Sequence, residues 1–309
     1  MLMNAVFEGG GVKGIAFAGA ISLVEQRGHK FYNVAGTSSG AIVASLLAAG
    51  YTGEELRDII MKTPFSSFLD KSGLLKVKYV GSLVRLFVKK GLYPGERLEK
   101  WVSDLLLQKG IRTFNDLRPN QLRIIASDIS QGKLLVLPDD IAHYGFDPTK
   151  LSVAKAVRMS TSIPYFFEPV IIKRTEIRKE INPLTSPSIY IMDGGLLSNF
   201  PLWLFDKDME KENELSLKIP TYGFRLVGMA EKAPAQINGP ISMLEALFNT
   251  MLDAHDERHL TEMKSAKTIK IPTLGVKVTE FDITRETSMK LFESGVQAAT
   301  KFFDLVHYD

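Results

Sequence analysis

A chain of 309 residues with 45% apolar content can bury a full core unaided, and its lack of cysteine excludes disulfides, thiolate catalysis and cysteine-ligated zinc. The net charge of +3 is too small to suggest a nucleic-acid partner. No apolar run approaches the roughly 20 residues of a membrane-spanning helix and no secretory leader precedes the first glycines, so a cytoplasmic protein is expected.

The first strand signal is "NAVF", followed by Gly9–Gly14 as G-x-G-x-x-G and a helical pattern over Gly14–Gln26. A second strand, "FYNVA", runs straight into Gly36-Thr37-Ser38-Ser39-Gly40, and an alanine-rich helix follows over Ser39–Ala49. Residues 64–110 are helical and basic with scattered Gly and Pro, and they form a candidate helical cap. Within them, residues 71–100 carry eight Lys or Arg against Glu96 and Glu99. Leu83, Phe87 and Lys90 fall near one helical face of that stretch, which suits either peripheral contact with an anionic membrane or packing of the cap.

Further on, "LRIIASDI" and "KLLVLP" read as strands joined across "SQGK", and "EPVIIK" precedes a polar excursion at 173–187. The strand "SIYIMD" then delivers Asp193 to Gly194 and Gly195. "PTYGFRLV" and "AKTIKI" complete the strands, with helical stretches at 241–263 and 284–306. Strands interleaved with helices predict a three-layer α/β/α fold around a mainly parallel sheet, as a single domain over 1–309.

The second glycine motif bears on the first. G-x-S-x-G in strand–turn–helix context is a nucleophile elbow, in which glycines at 36 and 40 permit close backbone approach while the turn exposes the Ser38 hydroxyl. The helix beginning near Ser39 points its free N–H groups at the same spot. A dinucleotide site, as in an NAD(P)-dependent oxidoreductase, needs an acid about 20 residues beyond the first glycines. Here the second strand ends in Ala35-Gly36 and a serine follows. Gly9, Gly10 and Gly11 therefore suit an oxyanion hole, with Lys13 as a nearby cation or simply an exposed residue of the first helical turn. For the base, Asp193 stands at a strand end with glycines behind it. His255 and His259 share a helix face, but Asp256 stands where a zinc protease motif needs Glu, so no metal site is expected; His255 keeps a Ser-Asp-His triad open.

Taken together, Gly9–Gly14, Gly36–Gly40 and Asp193-Gly194-Gly195, with "STSIPYFFEP" before the last strand, resemble the patatin-like phospholipase family over roughly residues 3–205. The resemblance implies a Ser38–Asp193 dyad that cleaves carboxylic esters of phospholipids or other acyl lipids through an acyl-serine, with no metal or other cofactor. It implies an oxyanion hole at Gly9, Gly10 and Gly11, with Gly14, Gly36, Gly40, Gly194 and Gly195 supporting the motifs. A catalytically inactive lipid-binding module is the remaining alternative. Glu8 stands where many members have Asp, and Met159 and Ser162 replace alanines usual before the proline, which bears on pocket shape.

Overall fold

The computed structural model describes residues 1–69, 88–173, 188–205, 219–228 and 267–306, with a few positions between 237 and 251. Its first half runs β1 (Leu2–Phe7), α1 (Ile15–Gln26), β2 (Lys30–Thr37), α2 (Ser39–Ala48), α3 (Gly53–Lys62), β3 (Gly91–Tyr93) and α4 (Glu96–Gln108). The second half continues with β4 (Leu122–Asp128), β5 (Lys133–Leu137), α5 (Val153–Ser160), β6 (Tyr165–Phe167), β7 (Val170–Lys173), β8 (Ser188–Asp193), β9 (Thr221–Val227), β10 (Lys267–Pro272) and α6 (Arg285–Val306).

Five strands pair in parallel in the order β10-β9-β1-β2-β4, which makes β1 an inner strand and explains its almost wholly apolar sequence. The two faces separate by strand period: Val6, Ala35 and Ile125 point to one side, while Phe7, Val34, Ile124 and Ala126 point to the other. The second side packs against α1, α2 and α6 in the main core. The first is covered by Phe200, Leu202, Leu204 and Phe205. A mixed α/β architecture around a mostly parallel sheet is thus what the sequence pattern predicts.

From β4 onward the sheet departs from parallel pairing, with β5 and β8 antiparallel to β4 and β7 antiparallel to β8, and the departure at β4 positions the site. β5 pairs antiparallel along Ile124–Asp128 of β4, so it occupies one edge of that strand. β2 pairs with Leu122–Ile125 and β8 pairs antiparallel with Ala126–Asp128, so both lie along the other edge. They meet head to head there: Thr37, the last residue of β2, faces Ile125, and Asp193, the last of β8, faces Ala126. A reversed strand has brought a second chain end to the point where β2 leaves the sheet.

Two further elements were not expected from the sequence. α3 follows a capping box in which the Thr52 side chain accepts the Glu55 N–H at 3.2 Å and Glu55 accepts the Thr52 N–H at 2.8 Å. The three-residue strands β3 and β6 form a small parallel sheet of their own. Of the candidate cap at 64–110, residues 70–87 lie outside the described residues, while α4 buries Leu98, Val102, Leu105 and Leu106 in the main core. The excursion at 174–187, most of the predicted helix at 241–263, and His255 and His259 also lie outside. Among the described residues, no helix is long and apolar enough to cross a membrane.

Candidate active site

The turn after β2 is built by backbone crowding. A Cβ on Gly36 would stand 2.3 Å from the carbonyl of Gly40, and one on Gly40 would stand 2.2 Å from the carbonyl oxygen of Phe7. Only bare backbone fits, and the chain between these glycines is forced through a sharp corner. Ser38 occupies that corner at φ 52° and ψ −122°, a conformation that L-residues other than glycine rarely adopt. Its side chain makes no helix-capping bond, so the hydroxyl is left for another partner.

Asp193 lies across the gap. The carboxyl is 1% exposed; Oδ1 accepts the Gly195 N–H at 2.8 Å, and Oδ2 is buried without a hydrogen bond of ordinary geometry. Burial pushes its pKa up from 3.8 to about 7, while the nearby Ser38 side chain and the Gly195 N–H pull the other way by favouring the ionised form. A carboxyl with its pKa near neutrality is a far better proton acceptor than an ordinary aspartate.

The glycine loop adjoins Ser38: a Cβ on Gly9 would lie 3.3 Å from that of Ser38. Its three amides are not equivalent. The Gly9 N–H donates to the Asn199 carbonyl at 3.1 Å, and the Gly10 N–H donates to Ser39 Oγ at 3.1 Å. Gly11, at φ 56°, is the loop glycine of the three that lines the pocket with Ser38. Lys13 sits half-buried in the 3₁₀ turn after it and is not part of the lining. The dinucleotide alternative finds no support, because the end of β2 carries Thr37 and Ser38 rather than an acid, and two loop amides already have protein partners.

The pocket encloses about 770 Å³, its open mouth included. Apart from Ser38, Ser39, Thr161 and the glycine backbone its lining is hydrocarbon, with Leu56, Ile59 and Ile60 from α3 and Leu98 and Trp101 from α4. Such a surface matches an alkyl chain. Met159 and Ser162 are not among the residues that line it. Glu8 is buried, its carboxylate accepting the Leu226 N–H and lying 3.7 Å from Arg225 Nε, and it ties the glycine loop to β9.

Several supporting residues escaped sequence reasoning. Asn199 clamps Gly9 twice, accepting through its carbonyl and donating from Nδ2 to the Gly9 carbonyl at 3.2 Å. The Thr37 hydroxyl donates to the Ser198 carbonyl at 2.9 Å. Arg158, whose pKa burial pushes down to about 10, donates to Ser162 Oγ and to the carbonyls of Pro94 and Glu168. None of these residues sits in a local pattern that announces its partner. A Cβ on Gly194 would stand 2.3 Å from the Ile125 carbonyl oxygen and one on Gly14 would stand 2.8 Å from the Ser39 side chain, while Gly195 serves the site through the N–H that it donates to Asp193. Among the described residues, no cluster of His, Asp and Glu is arranged to hold a metal.

The chain as a whole resembles known proteins. The family model described as patatin-like phospholipase matches residues 5–206. The Bacillus subtilis (strain 168) protein YqhO, described as uncharacterized, is 41% identical over 304 residues, covering 98% of both chains. A protein of Invertebrate iridescent virus 6 described as the probable lipid hydrolase 463L is 25% identical over 219 residues, 68% of this chain and 65% of its own. Among solved structures, VipD from Legionella pneumophila superposes with a TM-score of 0.54 at 19% identity, over 98% of this chain and 66% of that one.

Proposed function

The chain belongs to the patatin-like phospholipase family, and from that membership we propose that it is a serine lipid acyl hydrolase working through a Ser38–Asp193 dyad. The observation that carries this reading is a strained serine at an apolar pocket beside a buried carboxyl of raised pKa. The viral relative described as a probable lipid hydrolase points the same way.

In this mechanism Asp193 Oδ2 takes the Ser38 proton as Oγ attacks the ester carbonyl. The tetrahedral oxyanion is held by the glycine-loop amides. Gly11 borders the pocket, whereas Gly9 and Gly10 contribute only if they release Asn199 and Ser39. Collapse expels the alcohol or lysolipid, which takes the proton from Asp193, and leaves an acyl-serine. Water, deprotonated by Asp193, then attacks the acyl carbon, and the fatty acid leaves as Ser38 regains its proton. Contact with an anionic bilayer through residues 71–100 belongs to the same proposal, Lys89 and Lys90 being exposed.

The test is covalent. A fluorophosphonate probe is expected to label the full-length protein at Ser38, located by peptide mass mapping, and to block hydrolysis of p-nitrophenyl esters in step with labelling. Hydrolysis that persists after complete labelling, or a label on another serine, rejects the dyad. The pocket makes a second expectation. Trp101 is the bulkiest lining side chain, and Trp101→Ala should raise the kcat/KM ratio of long-chain over short-chain esters. One additional buried methylene, at about 0.8 kcal/mol, corresponds to about 4-fold.

A further inference from the structure

Where β2 leaves β4, the ladder should break with one buried N–H left over, that of Ser38. It is not left over. The Ser38 N–H donates to Ser160 Oγ at 2.9 Å, and the Ser160 hydroxyl donates to the Ile125 carbonyl at 2.6 Å. Ile125 is the β4 residue that faces Thr37. A single hydroxyl is therefore spliced into the β2–β4 ladder one residue past its last regular pair. It replaces a direct backbone bond with a longer path, which lets Ser38 step away from β4 into its positive-φ corner.

The same short segment reaches the other chain end. The Ser162 carbonyl accepts the Asp193 N–H at 3.0 Å, so residues two apart in sequence hold Ser38 and Asp193 by their backbone amides. The segment is itself braced: the Ser162 hydroxyl donates to the Arg158 carbonyl at 2.8 Å, and Arg158 anchors to Pro94 and Glu168. Ser160 is fully buried. β2 and β8 are each paired to β4 rather than to one another, and Ser160–Ser162 supplies a direct tie across the gap.

We infer that Ser160 is a positioning residue for the proposed reaction, its hydroxyl sustaining the strained backbone of Ser38 and so the alignment of Oγ with Asp193. The inference rests on the reading of Ser38 as the nucleophile. Ser160→Ala is expected to lower kcat for p-nitrophenyl esters by about 10- to 100-fold while KM stays within about 3-fold, since a misplacement of order 1 Å costs about 10²-fold. Fluorophosphonate labelling of Ser38 should slow by the same factor. Ser160→Thr, which keeps the hydroxyl, should recover most of the loss. Ser294→Ala removes another buried hydroxyl, bonded to the Pro272 carbonyl at 2.7 Å on the far flank of the sheet, and should weaken the fold without lowering kcat. Should Ser160→Ala not fold, Ser160→Cys, with a poor acceptor in a similar shape, carries the same expectation.

Unchanged kcat and labelling in Ser160→Ala overturn the inference. Equal losses of kcat in the Ser160 and Ser294 variants do so as well, because they reduce the effect to stability. A wild-type protein that neither hydrolyses esters nor labels would instead reject the lipase reading. A crystal structure of Ser160→Ala still decides the positioning claim in that case: it stands if Ser38 leaves positive φ and falls if Ser38 keeps the wild-type backbone.

Discussion

Ser38→Gly is expected to yield a protein more stable than wild type by about 1 kcal/mol and devoid of ester hydrolysis. The stability gain follows from the backbone. Ser38 is held at φ 52° and ψ −122°, and holding a non-glycine residue in so sparsely populated a region costs about 1–3 kcal/mol. Glycine adopts it freely but gives the unfolded chain extra entropy, which returns about 0.5–1 kcal/mol. No capping bond is lost, because the Ser38 side chain makes none at the start of α2. Activity should fall by about 10⁴-fold or more, the scale on which removal of a catalytic serine acts. Urea midpoints for the two proteins check the strain account; a less stable glycine variant would remove it.

Asp193→Asn should show a coupled signature. Hydrolysis is expected to drop by about 10²–10⁴-fold, the usual worth of a positioned base. Stability should move the opposite way, and by an amount that depends on pH. The folded pKa of about 7 lies above the ordinary 3.8, so between those values the folded state retains a proton that the unfolded chain has released. Stability of the wild type therefore falls as pH rises through that window and levels off above about 7. Near 1.36 kcal/mol per unit, the loss is of order 4 kcal/mol. Asparagine cannot ionise, and its carbonyl can still accept the Gly195 N–H. The variant should match wild type near pH 4 and exceed it by up to about 4 kcal/mol at pH 8. Wild-type kcat/KM should climb with pH over the same range, with a midpoint about 7. A stability difference independent of pH would show that the carboxyl is not held protonated by burial.

How much of this was legible follows from where each signal resides in the chain. The elbow is local: Gly36, Ser38 and Gly40 stand within five residues, and their spacing encodes the turn whatever surrounds it. Asp193 was readable for the same reason, as an acid delivered by an apolar strand to two glycines. The direction of β8 was not, because "SIYIMD" looks the same whether it pairs parallel or antiparallel. Nor was Ser160 readable, since its hydroxyl meets a backbone amide 122 residues away. The engagement of Gly9 and Gly10 is tertiary too; their sequence promised open amides, and Asn199 and Ser39 answer two of them. α3 was a different kind of omission. Its capping box, Thr52 to Glu55, is a local signal that the sequence carries in full.

The head-on approach of β2 and β8 along one edge of β4 turns sheet register into a caliper. Pairing along a strand moves only in whole residues, each a step of about 3.3 Å that also swaps faces. The distance between hydroxyl and carboxylate therefore has no fine adjustment: one extra residue between Ser188 and Asp193 would carry the acid a full notch past the serine and turn it toward the other side. Changes of length between Lys173 and Ser188 fall at the opposite end of β8, where the jaws of the instrument do not close.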